Sequence, residues 1–344
     1  MNNLIIDLKS DTVTRPCKNM LGAMMTAEVG DDVFGEDPGI NALEEKAALM
    51  FGKEAAIFCP SGTMTNQIAI KVHTQPGDEV ICDELAHIYN YEGGGIAFNS
   101  GASVRLIKGD RGRICAEDVE RNINIDNIHY TRSRLVCVEN TANKGGGSIY
   151  DFEELKKISE VCKENGLKYH LDGARIFNAL VETGELPEKY GKIFDSVSIC
   201  LSKGLGAPVG SLLLGEKSFI NQARRVRKVF GGGMRQAGYL AAAGIYALDN
   251  NINRLTEDHK RAKEIEKCLN ELSFIDTVNP VDTNIIFFKL SDKIKDSDFI
   301  SHLNNKKIFV IGLSPQLIRI VTHLDFNDAM LERLLIELKA FGKI

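Results

Sequence analysis

The chain has 344 residues, of which 44% are hydrophobic and 26% charged, with a formal net charge of -5. That length predicts about two domains, and the composition is that of a globular protein rather than a disordered or fibrous one. Interspersed charges with a mildly acidic sum argue against nucleic acid or anionic lipid as the main partner. No apolar run reaches the roughly 18 residues of a membrane span, so no membrane association is expected. The opening MNNLIIDLKSDT lacks a basic region followed by an apolar core, so we expect no signal peptide and a cytoplasmic location. The eight cysteines, at 17, 59, 82, 115, 137, 162, 200 and 268, form no CxxC pair, and most lie in apolar runs. Free, mostly buried thiols are predicted, and no zinc site.

From about residue 54 to 215, strand-like apolar runs alternate with helical patterns. AAIFC (55–59) precedes a helix from SGTMTNQIAIKV (61–72). RLVCVEN (134–140) precedes the amphipathic DFEELKKISEVCKENG (151–166), which ends in glycine. LKYHLD (167–172) and SVSICLS (196–202) follow. This alternation predicts an α/β fold, a mostly parallel sheet with helices on both faces. The proline-free stretch from Met234 to about Asn270 has apolar residues at helical spacing and predicts one long helix. Beyond it, TNIIFFKL (283–290) and LIRIV (317–321) read as strands and DAMLERLLIELKAFG (328–342) as a helix. These form a small C-terminal α+β domain, residues 256–344, after a large domain of residues 1–255.

Within ICLSKGLGAPVG (199–210), Lys203 stands where an apolar run gives way to glycine. Partial desolvation there lowers an amine's pKa, and a neutral amine forms an imine with an aldehyde. Lys203 is therefore a candidate Schiff-base lysine. The matching cofactor is pyridoxal 5'-phosphate (PLP), which also needs an acid at its ring nitrogen, a phosphate cradle and a flat group against the ring. Asp172 ends a strand-like run 31 residues before Lys203. If the two strands are parallel, both open on the sheet edge where ligands of α/β folds bind. The alternative is that Asp172 caps a helix beginning at Gly173. PSGTMTN (60–66) offers Gly62 and Thr63 to a phosphate at a helix N-terminus, or is an ordinary helix cap. His87, in DELAHIYNYEGGG (83–95), can stack on a ring and move a proton, or is a hydrogen-bonded structural histidine. Arg175, one helical turn after Asp172, and Arg319, in a strand, suit a two-pronged grip on a carboxylate; Arg319 also reads as a solvent-facing strand-edge residue. The basic run RRVRKVFGGGMRQ (224–236) is a solvated helix face, or its glycines bring backbone close to another surface or ligand.

Nine segments in order, DLKSDTVTRP (7–16), GDDVFGEDP (30–38), SGTMTNQ (61–67), AHIYNYEGG (86–94), VENTANKGGG (138–147), HLDGARIFNA (170–179), SKGLGAPVGS (202–211), RKVFGGGMRQAG (227–238) and VTHLD (321–325), closely resemble the threonine aldolase family of PLP enzymes. The resemblance implies the aspartate-aminotransferase-like fold, fold type I. It makes Lys203 the imine-forming lysine, Asp172 the partner of the ring nitrogen and His87 the group on the ring face. It assigns Gly62 and Thr63 to the phosphate, and Ser10, Arg175 and Arg319 to the substrate carboxylate, with Arg175 also among the cofactor-binding residues. Lys228 would reach the phosphate of a neighbouring subunit, since the family's sites lie at a dimer interface and many members are homotetramers. Some relatives bind a structural cation, whose ligands here are unknown. Two positions depart from the family: Lys9 replaces a common arginine, and Ala142 replaces a common histidine close to the substrate's β-substituent. The implied activity is retro-aldol cleavage of L-threonine or L-allo-threonine to glycine and acetaldehyde. A β-eliminating lyase or aminotransferase on the same scaffold, and a non-catalytic PLP-binding protein, are the alternatives.

Overall fold

A computed structural model describes residues 5–342. The chain opens with a short strand, β1 (Ile6–Asp7), and then builds seven strands into one sheet. These are β2 (Ala55–Cys59), β3 (Asp78–Asp83), β4 (Ser103–Ile107), β5 (Arg132–Glu139), β6 (Lys168–Gly173), β7 (Ser196–Cys200) and β8 (Ser211–Gly215). Their order across the sheet is β2-β8-β7-β6-β5-β3-β4. Only β8 runs against its neighbours; the others are parallel. Every residue of β7 and β8 is buried, as expected of strands covered by helices on both faces. In β5, Val136 and Val138 join one core while Leu135 and Cys137 join another on the opposite face. The parallel strands deliver Cys59, Asp83, Glu139, Gly173 and Cys200 to one edge of the sheet. Across β5 and β6, Glu139 stands in register with Asp172.

The expected helix from Met234 to Asn270 is two, Gly238–Asn250 and Leu255–Asn270. No proline is needed for the break. Asn250, Asn251 and Asn253 favour side-chain-to-backbone bonds that compete with a helix. Asn251 turns its amide out of the helix to donate to the Leu205 carbonyl at 2.7 Å, bracing the loop that carries Lys203.

The later strands are β9 (Ile275–Val278), β10 (Ile285–Leu290), β11 (Ile308–Phe309), β12 (Ile311–Ser314) and β13 (Leu317–Val321). Four of them form an antiparallel sheet in the order β12-β13-β10-β9, while β11 pairs in parallel with β1. Leu334 and Leu338 of the helix Asp328–Phe341 cover this unit. Ile6 and Leu8 are buried in the same core, although the sequence pattern groups the N-terminal segment with the large domain. The first strand thus belongs to the small unit's core, and the chain passes from there through Ser10 and Asp11 to the large sheet. All eight cysteines are free. No helix among the described residues is long and apolar enough to cross a membrane.

Candidate active site

Asp172 is buried near the C-terminal end of β6. Its Oδ2 accepts a hydrogen bond from Asn66 Nδ2 at 2.9 Å, and its Oδ1 accepts one from the Ala174 amide at 3.1 Å. No helix begins at Gly173: the next one spans Ile176–Thr183, with Arg175 at its N-cap rather than a turn inside it. Asp172 therefore shapes a tight turn. Behind Asn66, His170 Nε2 lies 3.1 Å from Asn66 Oδ1, and His170 Nδ1 lies 2.8 Å from Ser196 Oγ. Burial pushes the His170 pKa down to about 4, so that ring is neutral at physiological pH. The Asp172 carboxylate has only neutral hydrogen-bond donors, and no salt bridge reaches it among the described residues.

His87 opens a one-turn helix, His87–Asn90, just beyond β3. Its amide donates to Glu139 Oε2 at 3.0 Å, and its Nδ1 lies 3.0 Å from Glu92 Oε1. Glu92 is buried and also accepts from Asn66 Nδ2 at 2.9 Å and Gln67 Nε2 at 2.6 Å. Burial lowers the imidazole's pKa, but the Glu92 bond and the charges of Asp172, Glu139 and Glu92 outweigh it, and the net shift is upward. The side chain is partly exposed, and its ring lies 5.6 Å from that of Tyr91, centroid to centroid. His87, Glu92 and Asp172 each bring a ligand-type atom within 4.8 Å of the others. The Asn66 amide between the two carboxylates makes this a hydrogen-bonded network.

Lys203 lies in the loop between β7 and β8, half-buried. Its carbonyl accepts from Thr14 Oγ1 at 2.9 Å and from the Gly206 amide at 2.9 Å. The helix Gly62–His73 starts beside this loop. Ser61 caps it by accepting from the Met64 amide at 3.2 Å. The amides of Gly62 and Thr63, first in the helix, have no intrahelical partner. A Cβ on Gly62 would stand 2.6 Å from Cys200 Sγ, so the close approach of helix and strand end requires glycine there. The cap and the anion cradle are thus compatible readings of one segment.

Arg175 is buried and donates from Nε and Nη2 to Asp11 at 2.8 and 2.7 Å. Burial alone would raise the Asp11 pKa, but the charge and hydrogen bonds of Arg175, with the Lys203 charge, bring it down to about 2. Arg319 is on β13, between β12 and β10, and so is not an edge residue. Its Nη1 donates to Asn143 Oδ1 at 3.2 Å and its Nη2 to the Lys9 carbonyl at 2.9 Å. Its Nε is buried with no hydrogen-bond partner. Burial and the nearby Arg175 charge both lower the Arg319 pKa. Two guanidiniums and an unsatisfied N–H make a place for an anion. Ser10 caps the short turn Asp11–Val13 by accepting from the Thr12 amide at 3.2 Å.

The Lys9 ammonium pairs with Asp7 at 3.3 Å, so its backbone carbonyl, not its charge, serves the site. Ala142 is buried, and a Cβ on Gly112 would come within 2.8 Å of its methyl. The basic run is largely satisfied within the chain: Arg224 with Glu44, Arg227 with Asp32 and Arg235 with Asp31. Lys228 is exposed at the end of the helix Lys217–Val229, and no hydrogen bond joins it to Gly62 or Thr63 among the described residues. Asn66, Glu92, Glu139 and Asp11 are site residues that the sequence reading did not single out. All four stand inside the quoted motifs; Asn66 and Asp11 meet partners distant in sequence, while Glu92 and Glu139 also bond near neighbours, His87 and Asn143, that only the folded turns bring within reach.

The profile of the beta-eliminating lyase family matches residues 7–293. The low specificity L-threonine aldolase of Escherichia coli strain K12 is 44% identical over 338 residues, covering 98% of this chain and 99% of its own. Low-specificity L-threonine aldolase 1 of Arabidopsis thaliana is 44% identical over 325 residues, covering 92% and 91%. The solved structure of Leishmania major threonine aldolase has the same fold, with a TM-score of 0.85, 24% identity and coverage of 98% and 99%.

Proposed function

The chain belongs to the beta-eliminating lyase family, among its threonine aldolases, and we propose that it cleaves L-threonine and L-allo-threonine to glycine and acetaldehyde. The residues fit PLP. Lys203 would hold the aldehyde, Asp172 the ring nitrogen, His87 one ring face, and the Gly62 and Thr63 amides the phosphate. When bound, the cofactor supplies a positively charged ring that draws electrons from Cα. The observation that carries the reading is the Asp172 carboxylate, buried on neutral donors at the sheet edge that leads to Lys203.

Asp172 would keep a proton at the ring nitrogen, because its carboxylate is held by neutral donors and by no salt bridge. Arg319 Nε, Arg175 Nη1 and Ser10 Oγ hold the substrate carboxylate. Fixing that group would select which bond at Cα the cofactor's electron draw weakens, and so direct the site to Cα–Cβ cleavage rather than racemisation or transamination. His87 Nε2 takes the proton of the β-hydroxyl, with Glu92 at Nδ1 stabilising the charge that forms. Ala142 offers no imidazole, so the proton goes to His87, a water or another group, and the Nδ1 bond to Glu92 favours His87.

The unit in solution is a homo-oligomer, dimer or tetramer, in which Lys228 reaches the phosphate site of a second copy. Its surroundings support this: the adjacent Val229 and Phe34, which lines the same hollow, are 82% and 74% exposed, apolar area that a second copy would cover. Eight free thiols suit a reducing compartment, the cytoplasm. Product analysis with PLP and all four threonine stereoisomers tests the function. Acetaldehyde and glycine from the two L-isomers are expected; 2-oxobutanoate with ammonia, an exchanged amino group or no turnover refutes it.

A further inference from the structure

Glu139 ends β5 with its carboxylate buried. Oε2 accepts from the His87 amide at 3.0 Å, and Oε1 accepts from the Asn143 amide at 3.0 Å. The two amides belong to different loops, one leaving β3 and one leaving β5. Each loop carries part of the site. His87 presents the imidazole, while Asn143 Oδ1 accepts from Arg319 Nη1 at 3.2 Å. One carboxylate therefore touches the backbone of both the proposed base and the residue that orients the carboxylate-binding arginine.

The position is costly for a charge. Asp172 stands beside it in register on β6, and Cys82 on β3 and Tyr150 after β5 are also near. His87 and, after β6, Arg175 are the cations that feel it. Burial and Asp172 push the Glu139 pKa up, while the Asn143 and His87 amides pull it back. Packing alone would favour an apolar residue at such a site. A carboxylate, however, offers two acceptors on one rigid group, which is what two loops held at a fixed spacing require.

We infer that Glu139 is a positioning residue that locks the His87 loop and the Asn143–Arg319 pair into one frame. This rests on the roles assigned above to His87 and Arg319. Glutamine has nearly the same shape but one acceptor, so Glu139→Gln must release one of the two amides or set an NH2 group against it.

The test uses the PLP-loaded enzyme. In Glu139→Gln, amide hydrogen exchange at His87, Asn143 or both should quicken at least about tenfold, with β6 unchanged. The kcat/KM for L-threonine should fall at least about tenfold, since displacements near 1 Å cost this much or more. In a His87→Asn background, the same change should cost kcat at least about fivefold less than in the native background, because coupled residues are non-additive. Unchanged exchange at both amides, or losses that simply multiply, overturns the inference. If His87→Asn alone leaves cleavage near normal, the His87 assignment fails, while the exchange data still judge the tie. Should Glu139→Gln not fold, Glu139→Asp decides. It keeps both acceptor oxygens on a side chain one methylene shorter, so exchange at the His87 amide, the Asn143 amide or both should quicken at least about threefold; unchanged exchange at both overturns the proposal.

Discussion

Arg175 and Asp11, 164 positions apart, meet in a buried two-bond pair of 2.8 and 2.7 Å. The pair ties the N-terminal segment to the turn after β6. It also commits two of the arginine's N–H groups before any substrate arrives, so Arg175 is aimed rather than free. Removing one partner of a buried ion pair leaves the other charge uncompensated, at a cost of about 3–5 kcal/mol. Asp11→Ala should lose stability of that order and raise the KM for L-threonine. Denaturant midpoints and steady-state kinetics check both effects.

The same pair sets an acid limit on stability. The Asp11 carboxyl is held down at about 2 in the fold, below the ordinary carboxylate value of 3.8. Its contribution is therefore complete above the ordinary value and is lost as pH falls through that range towards 2. A urea series from neutral to acid pH should show a shallower acid decline in Asp11→Asn than in the native chain. Parallel declines would mean that the pair contributes nothing to acid stability.

Arg319→Ala removes the guanidinium whose Nε lacks a partner. A charge-assisted hydrogen bond is worth about 1.5–3 kcal/mol, so kcat/KM should drop roughly 10- to 100-fold. Reaction choice should loosen as well. Solvent-hydrogen exchange at Cα of L-threonine, relative to cleavage, measures this, and native kinetics in the variant would contradict the assignment.

His87→Asn should slow cleavage by about 10²–10⁴, the usual worth of a positioned base. The upward shift of its pKa places the acidic limb of kcat/KM above the ordinary histidine value of 6.5, with activity rising as the ring loses its proton. That limb should vanish in the variant. A near-normal rate, or a limb that persists, assigns the proton to another group.

Gly62→Ala should weaken cofactor binding, because the added methyl would stand 2.6 Å from Cys200 Sγ and force apart the helix start and the end of β7. Titration of the apo-protein with PLP, followed by its visible band, checks this. An unchanged dissociation constant would remove Gly62 from the cradle.

Much of this was legible in the sequence because its signals are local. The strand that ends at Asp172 and the apolar run before Lys203 are continuous segments, and their parallel pairing follows from the alternation of strands and helices. The break at Asn251 was not legible, since helical spacing continues on both sides and only the distant Leu205 carbonyl explains the turn. Nor was the partner of Arg175, which reads as a free cation until the fold brings Asp11 to it. Glu92 and Glu139 escaped although His87 and Asn143 are close to them in sequence. A glutamate at a strand end or in a glycine-rich turn looks solvent-exposed, and only three-dimensional packing reveals the buried amides and imidazole it serves.

The central claim is that the side chain of Lys203 carries the cofactor as a covalent imine. Borohydride reduction of the PLP-loaded enzyme followed by peptide mapping tests it most directly. A pyridoxyl label confined to the peptide containing Lys203 is the predicted result; a label on any other lysine, or none, contradicts it.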